Sequence, residues 1–516
     1  MKTTKMCFTF LLIMNSLQLF SQIDNESNFY TSISNANYNK DLVEDFAVDN
    51  SFSTDDSSIL QNAIDVIAAN GGGILTIPAG NYSFGNINLK SNVHLDIHKN
   101  VFIRSFYEIP FDEKLKNYAI FKLGDSTNPI QNVTISSSSG GNFTVDLTHN
   151  NNPNVAVVNC GKVSNFIIAN FNILDTYTKF SAVIFGGDEY NGEYIFPKNG
   201  IVKNIDIKNA HYGYGTVQTQ SAENILFKNL SGTGGATLRL ETGFTGLNNL
   251  QGSNLPTGVK RIGGIDKIVA RNIYNTNGNS ALMISPHALH NGTVDAEEIH
   301  SVSSGFAVRI EAGFVSDKYD QDISLSDGTF EHVKVKSVTA TYGENAEIKA
   351  KHFNHYPSEI TPPTKLANYL IEDETKIYVG ASIATVLAET NYNCKNNVKI
   401  VLVEAPIEGT GFLYQENIIP AEFLTTDCTA LSTDEQHLNE NLVEISPNPA
   451  SNSIFINHLK KNKNINIYSL SGQLIKSIKT SYNSSLKLDV SNLISGIYFI
   501  KIVSENNSIT KKIIIK

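Results

Sequence analysis

The 516-residue sequence contains no tryptophan, four cysteines, four methionines and only 17% charged residues. So few cysteines exclude a small scaffold held together by disulfides. A basic excess is also missing: 40 lysines and arginines face 50 aspartates and glutamates, a net charge of -10. That balance argues against a nucleic-acid partner, because a phosphate-binding surface normally makes a domain basic. It leaves room for a polyanionic sugar, since a local cluster of cations can sit in an acidic protein. Beyond the N-terminus there is no apolar run long enough to cross a bilayer, so no membrane span is expected. What remains is rich in Gly, Asn, Ser, Thr and Ile, the balance of a β-rich, turn-rich chain with few long helices.

The opening "MKTTKMCFTFLLIMNSLQLFSQ" carries two lysines, a short apolar run and a small residue at Ser21. It reads as a secretory signal peptide over residues 1–22. Cys7 leaves with it, and Cys160, Cys394 and Cys428 then allow one disulfide at most. Cys394 with Cys428 is the expected pair, because Cys160 lies in the apolar run "VAVVNC" and packs as a small hydrophobe. No spacing among the cysteines, or among the acids of "SDKYDQD" from Ser316 to Asp322, fits a metal loop.

Near residue 53 the chain reads "STDDSSILQNAIDVIAANGGGILTIPAGNY". Ser53 or Thr54 is the expected cap of a helix whose apolar face holds Ile59, Leu60, Ile64, Val66 and Ile67, and three glycines stop it. Helix, glycines and apolar strand together resemble the N-terminal cap of right-handed parallel β-helices of the pectin lyase type. A repeat follows: "NVHLDIHKN" at 92, "NVTISSSSG" at 132, "NFIIANFNI" at 165, "NIDIKNA" at 204, "NILFKNL" at 224 and "KIVARNI" at 267. Each is Asn or Lys followed by alternating apolar residues, and Asn204 to Asn224 reads as one coil. Such a pattern predicts a solenoid whose outward side chains stack in columns, a surface suited to long polysaccharides. The expected architecture is therefore all-β: a parallel β-helix over 23–440 with a helical cap. The stretch 345–440 either finishes the solenoid or forms a lid. "LANYLIEDE" is expected as a short helix, and "KIYVGASIA" and "NNVKIVLVEA" as strands.

From residue 443 short alternating strands separated by "SPNP", "SLSGQ" and "NLISG" predict a small β-sandwich over 443–516. The module resembles the C-terminal sorting domain of the type IX secretion system of Bacteroidetes. That resemblance implies export to the cell surface or beyond, with the secretion machinery as a partner.

Two strands carry the chemistry. In "TLRLETG" Arg239 and Glu241 share one face, with Leu238 and Leu240 on the other; "FAVRIEAG" repeats the arrangement with Arg309 and Glu311. Gln218 in "GTVQTQ" lies 23 residues before Glu241, one coil earlier, and is expected to stack on it. His287 is expected at the end of a strand "ALMISPH". Two such strands in one solenoid, with a glutamine and a histidine near them, point to a functional cleft on this face and not to separate surface ion pairs.

"GTVQTQSAENILFKNLSG", "GGATLRLETG", "ALMISPHALHNGTV" and "SSGFAVRIEAGFV" resemble the core motifs of the iota-carrageenase family, over roughly residues 45 to 340. The resemblance implies a glycoside hydrolase that cleaves β-1,4 linkages of iota-carrageenan, a sulfated red-algal galactan, with inversion. It implies Glu241 as the acid, with Gln218, His287 and Glu311 assisting and Arg239 and Arg309 lining the cleft. Lys260 and Arg261 extend the cationic rim as substrate-binding residues. No cofactor is implied, and a structural calcium or sodium ion and a chloride at the site are compatible with it. Where the family carries its aspartate base, two residues after the acid, this sequence has Gly243. Glu311, or water held by Gln218 and His287, is then the candidate base, and Glu311 can instead tune the charge of Glu241. The alternatives are a hydrolase of another sulfated galactan or a non-catalytic protein that binds such chains.

Overall fold

The computed structural model describes residues 24–32, 38–106, 117–125, 127–150, 152–191, 193–242, 264–315, 327–356, 368–372, 375–389, 401–412, 417–419, 444–459, 463–470, 473–480, 484–503 and 508–516. The signal peptide, Gly243, Lys260, Arg261, the acids of 316–322, Cys394 and Cys428 lie outside them. Cys160 is a buried free thiol.

Two compact units are present: Met1–Asn393 with Lys399–Leu424, and Cys394–Val398 with Thr425–Lys516. The first is a right-handed parallel β-helix. One long parallel sheet of fourteen strands runs from Asn39–Asp41 to Val401–Thr410, and a ten-stranded parallel sheet runs from Ile87–Asn88 to Ile418–Ile419. The helix Ser57–Ala69 closes the start of the solenoid with Leu60, Ala63, Ile64 and Ile67 buried. It begins after Asp56, not at Ser53 or Thr54, and Ile59 and Val66 lie at the edge of its buried face. Asp56 spends its carboxylate on the Ser83 amide, which fixes the helix to the first coils.

The asparagine repeat has a backbone cause. Asn92, Asn132, Asn165 and Asn224 adopt φ of 63°, 60°, 54° and 58°. Asparagine tolerates this left-handed region better than other side chains, because its short amide bonds locally. At each corner that amide bonds the equivalent amide of a neighbouring coil: Asn132 donates to Asn92 at 2.8 Å, Asn165 to Asn132 at 2.8 Å and Asn224 to Asn199 at 2.9 Å. A second ladder runs Asn272, Asn229, Asn204, Asn170, with bonds of 3.0, 2.8 and 2.7 Å. Asn204 and Asn224 therefore belong to different ladders, and the interval of 20 residues is not a coil. The sequence pattern merged two corners of one strand, each of which starts with asparagine. The true neighbours, Asn199 with Asn224 and Asn204 with Asn229, are 25 residues apart.

Inside the coils aromatic rings stack along the axis, Phe185 standing 5.9 Å from Phe166 and 5.6 Å from Phe227. Each buried ring stabilises the solenoid by roughly 1.5–3 kcal/mol. Gly200 is required there, because a Cβ on it would overlap the ring of Phe166. The N-terminal segment straps the outside of the long sheet: Asp24 pairs with Arg271 at 2.9 Å and Glu26 with Lys203 at 2.6 Å.

The stretch after residue 341 does both things the sequence left open. Val386–Ala388 and Val401–Thr410 continue the two parallel sheets. Before them, after the strand Thr329–Thr341, an insertion folds as an antiparallel sheet of Ala346–Lys349, Asn368–Glu372 and Thr375–Gly380, with a 3-10 turn at Ala350–His355. The expected helix in "LANYLIEDE" is instead the strand Asn368–Glu372, paired antiparallel with Thr375–Gly380. Cross-strand pairing outweighs the weak helical pattern of so short a segment. Phe306, Ile348, Tyr356, Ile383 and Leu387 form a small core that holds the insertion to the solenoid.

The second unit contains a three-stranded and a four-stranded antiparallel sheet. Ile454, Ile456, Ile465, Ile467, Ile500, Ile502, Ile513 and Ile515 fill its core.

Candidate active site

The ten-stranded sheet aligns one outward column across its strands: Lys122, Asn159, Ile184, Gln218, Arg239, Met283 and Arg309 are register partners in turn. Two residues further along each strand a second column starts with Glu241 and Ser285. The Glu311 amide bonds the Ile284 carbonyl at 2.9 Å, which puts Glu311 next in that column. Glu241 and Glu311 thus lie two strand spacings apart, ~9.6 Å along the axis. Gln218 stands opposite Arg239, not Glu241 as expected; the one-coil estimate from sequence missed the two-residue offset between the columns. Its amide still reaches across, donating to Glu241 Oε2 at 3.3 Å.

His287 is not part of a strand. The strand ends at Ser285, and Pro286 turns the chain so that His287 takes φ of 46°. From there His287 Nε2 meets Glu241 Oε1 at 3.3 Å, with its ring centre 4.4 Å from that of Phe314. Glu241 also accepts a charged hydrogen bond from Arg239, whose guanidinium bonds the Gly213 carbonyl and lies 5.6 Å from the Tyr214 ring centre. Burial favours the neutral acid, but Arg239, His287 and Lys349 outweigh it and hold the Glu241 carboxyl at about 2. In the free protein Glu241 is ionised.

Glu311 is 5% exposed and pairs with Arg309 at 3.3 Å and with Lys351 at 2.6 Å. Burial again opposes ionisation, and Arg309, Lys351 and Lys349 overcome it, so its carboxyl lies far below the usual range. Arg309 does not present an open fork for sulfate. It is 1% exposed, donates to Asn279 and to the sulfur of Met283, and its charge is paired with Glu311. Strand alternation predicted its direction correctly but could not see the insertion that covers it.

The insertion supplies the residues the sequence reading missed. In "AEIKAK" the alternating Glu347, Lys349 and Lys351 lie against the strands that carry the two Arg–Glu pairs. Glu347 accepts the Gly235 amide at 2.6 Å, just before the strand of Arg239 and Glu241, and its own carbonyl accepts from Asn279 at 2.9 Å. Burial pushes its carboxyl up to about 8. This anchor sets Lys349 among both Arg–Glu pairs. Burial first, then Arg309 and Arg239, bring the Lys349 ammonium down to about 7 against the pull of Glu241 and Glu311. Charged alternation was the available signal, but nothing in it said which strand face it would meet. Among the described residues, no group of three or more His, Cys, Asp or Glu side chains is placed to hold a metal ion.

An iota-carrageenase of Alteromonas macleodii is 32% identical over 423 residues, covering 71% of this chain and 82% of that protein. The chain belongs to the iota-carrageenase family. Another iota-carrageenase, from Zobellia galactanivorans, is 41% identical over 292 residues, 56% of each chain. A solved structure titled 1,3-alpha-1,4-beta-D-galactose-4-sulfate-3,6-anhydro-D-galactose-2-sulfate 4 galactohydrolase matches with a TM-score of 0.69 at 31% identity, covering 78% of this chain and 94% of the other. This member of the iota-carrageenase family is a glycoside hydrolase. Residues 444–516 match the secretion system C-terminal sorting domain. That domain marks the enzyme for type IX secretion, to the cell surface or outside. Among the described residues no helix is long and apolar enough to cross a membrane.

Proposed function

We propose that the enzyme hydrolyses β-1,4 linkages of iota-carrageenan with inversion, Glu241 acting as the acid and Glu311 as the base. The observation that carries this reading is that Glu241 and Glu311 share one column, two strand spacings apart, each two residues beyond an arginine of the neighbouring column. Carboxyl groups ~6.5–9.5 Å apart leave space for a water between base and sugar, whereas retention needs ~5–5.5 Å. Glu311 is held ionised, as a base requires, by Arg309 and Lys351. Gln218 and His287 bond Glu241, and in this reading they orient the acid.

As the acid, Glu241 must carry a proton to give to the leaving oxygen as the glycosidic bond breaks. The same cations that ionise it in the free enzyme are those a sulfate would attract. An ester sulfate that engages Lys349 draws positive charge from Glu241, raises its pKa and lets it take up a proton. Substrate charge thereby switches on the acid. Lys351, half-exposed, is placed to leave Glu311 for a sulfate in the same way.

Gly243, in the position of the implied aspartate, favours a second reading in which the site binds sulfated chains without turnover. Release of new reducing ends from iota-, kappa- and lambda-carrageenan by the purified enzyme separates the two. Release on iota-carrageenan, lost in Glu241→Gln, supports hydrolysis. Binding with no release on any of the three supports the binder.

A further inference from the structure

Charge is divided unevenly along this chain. Residues 444–516 carry ten lysines against Glu444, Asp489 and Glu505, a basic module on a chain whose net charge is -10. Its four-stranded sheet joins Leu474–Thr480, Lys463–Ser469, Gly496–Val503 and Ser508–Ile515 in that order, and none of the four strands contains an Asp or Glu. Ile465, Ile467, Ile500, Ile502, Ile513 and Ile515 point into the core, and Ile478 packs against it. Alternation therefore turns Lys479, Asn466, Tyr468, Phe499, Lys501 and Lys512 to the opposite face.

Register sets these side chains in rows. Lys479 stands opposite Asn464; in the next row Asn466 stands opposite Lys501; in the row after that Tyr468, Phe499 and Lys512 are successive partners. The three lysines run diagonally across the sheet. With ~4.8 Å between strands and ~3.4 Å per residue, the backbone of Lys501 lies ~12 Å from that of Lys479, and Lys512 a further ~8 Å on. Lys479 and Lys512 are exposed and Lys501 is half-buried, and none of the three has an acidic partner among the described residues. Asp489 lies elsewhere, between Lys476 and Lys487.

Single exposed ammonium groups hold an anion weakly, so a line of three favours a long polyanion that meets all of them at once. Tyr468 and Phe499, side by side in the row of Lys512, offer ring faces to the apolar sides of sugars, and Asn466 offers an amide to hydroxyls. A galactan with recurring ester sulfates combines both demands.

We propose that this sheet face of the C-terminal module is a second polysaccharide-binding surface, on which Lys479, Lys501 and Lys512 engage ester sulfates and Tyr468 with Phe499 packs against the sugar rings. The assignment rests on the reading of the enzyme as acting on sulfated galactan. It gives the module a role besides sorting: the full-length enzyme has a second hold on polymer that a short oligosaccharide seated at Glu241 does not use.

The test uses full-length Glu241→Gln protein, with and without Lys479→Ala, Lys501→Ala and Lys512→Ala combined. Affinity for iota-carrageenan polymer falls roughly 5- to 30-fold in the combined variant, and three Lys→Arg replacements keep it. High salt erases the difference, while affinity for an iota-carrageenan tetrasaccharide and thermal unfolding stay unchanged. Equal polymer affinities overturn the surface. An equal loss on polygalacturonate, a carboxylate chain, makes the face a general polyanion binder and overturns the galactan assignment. A combined variant that binds polymer normally but is no longer secreted assigns the face to the secretion machinery instead. If the natural enzyme releases no reducing ends from any carrageenan, the hydrolase reading fails by itself, and the affinity comparison still decides the surface.

Discussion

Lys351 closes on the carboxylate of Glu311 at 2.6 Å from forty residues further along the chain. The contact joins the parallel solenoid to the antiparallel insertion, and it changes what the site is. Two Arg–Glu strands alone would offer open arginine forks; with the insertion in place, the cations available to substrate are lysines.

If Glu311 is the base, Lys351 sets the acid limb of the rate profile. A base must be ionised, so rate falls as pH drops through its pKa. Removing the cation in Lys351→Met raises that pKa, and the acid limb of kcat/KM moves to higher pH. A limb that stays in place removes Glu311 from the base role.

Lys349 acts on the opposite limb. The acid must be protonated, so rate falls as pH rises through the pKa of Glu241. That carboxyl is held at about 2 in part by Lys349, and Lys349→Met moves it upward. The basic limb then shifts to higher pH, even as sulfate affinity weakens. Lost activity with an unshifted profile makes Lys349 a substrate contact only.

Replacing the acid itself has a simpler readout. Glu241→Gln keeps the bonds from Gln218 and Arg239 in reach but has no proton of the right acidity to give. Turnover falls by about 10²- to 10⁴-fold with the circular dichroism spectrum unchanged. A smaller loss, below about tenfold, assigns the acid elsewhere.

Glu347 makes stability depend on pH. Its folded pKa, about 8, lies above the ordinary 4.5, so the folded state retains a proton that the unfolded chain releases. The stability this gives is complete below pH 4.5 and is lost as pH rises through 8. Glu347→Gln keeps a neutral acceptor for the Gly235 amide. Its unfolding free energy therefore exceeds that of the natural protein above pH 8, by on the order of a few kcal/mol, and the gap closes near pH 5. Parallel curves at all pH values would mean that Glu347 is ionised in the fold.

The ladders can be tested at Asn204, which has φ of 55°, donates to Asn170 and accepts from Asn229. Asn204→Ala loses both bonds and strains the backbone, at about 1–3 kcal/mol by denaturant unfolding. Asn204→Gly loses the bonds alone and destabilises less. Equal losses in the two variants leave the left-handed backbone without a cost.

The repeat was legible because corner asparagines answer a local demand of the backbone, and Leu238 and Leu240 were legible because strand alternation fixes which side faces the core. Arg239 and Glu241 followed from the same alternation. The two-residue offset that places Gln218 opposite Arg239 was not legible, because register depends on how much chain each loop consumes. Lys349 and Lys351 were hidden for a related reason. Their strand pairs within an insertion, and only tertiary packing through Phe306 and Ile348 brings it over Glu311. Gly243, Lys260 and Arg261 lie outside the described residues.

The most direct measurement follows the first reducing ends released from iota-carrageenan by NMR, before mutarotation mixes the anomers. A β linkage cut by two carboxylates on opposite sides, with water between them, gives the α anomer first, as the Glu241–Glu311 spacing predicts. A β anomer, or no new end at all, contradicts it.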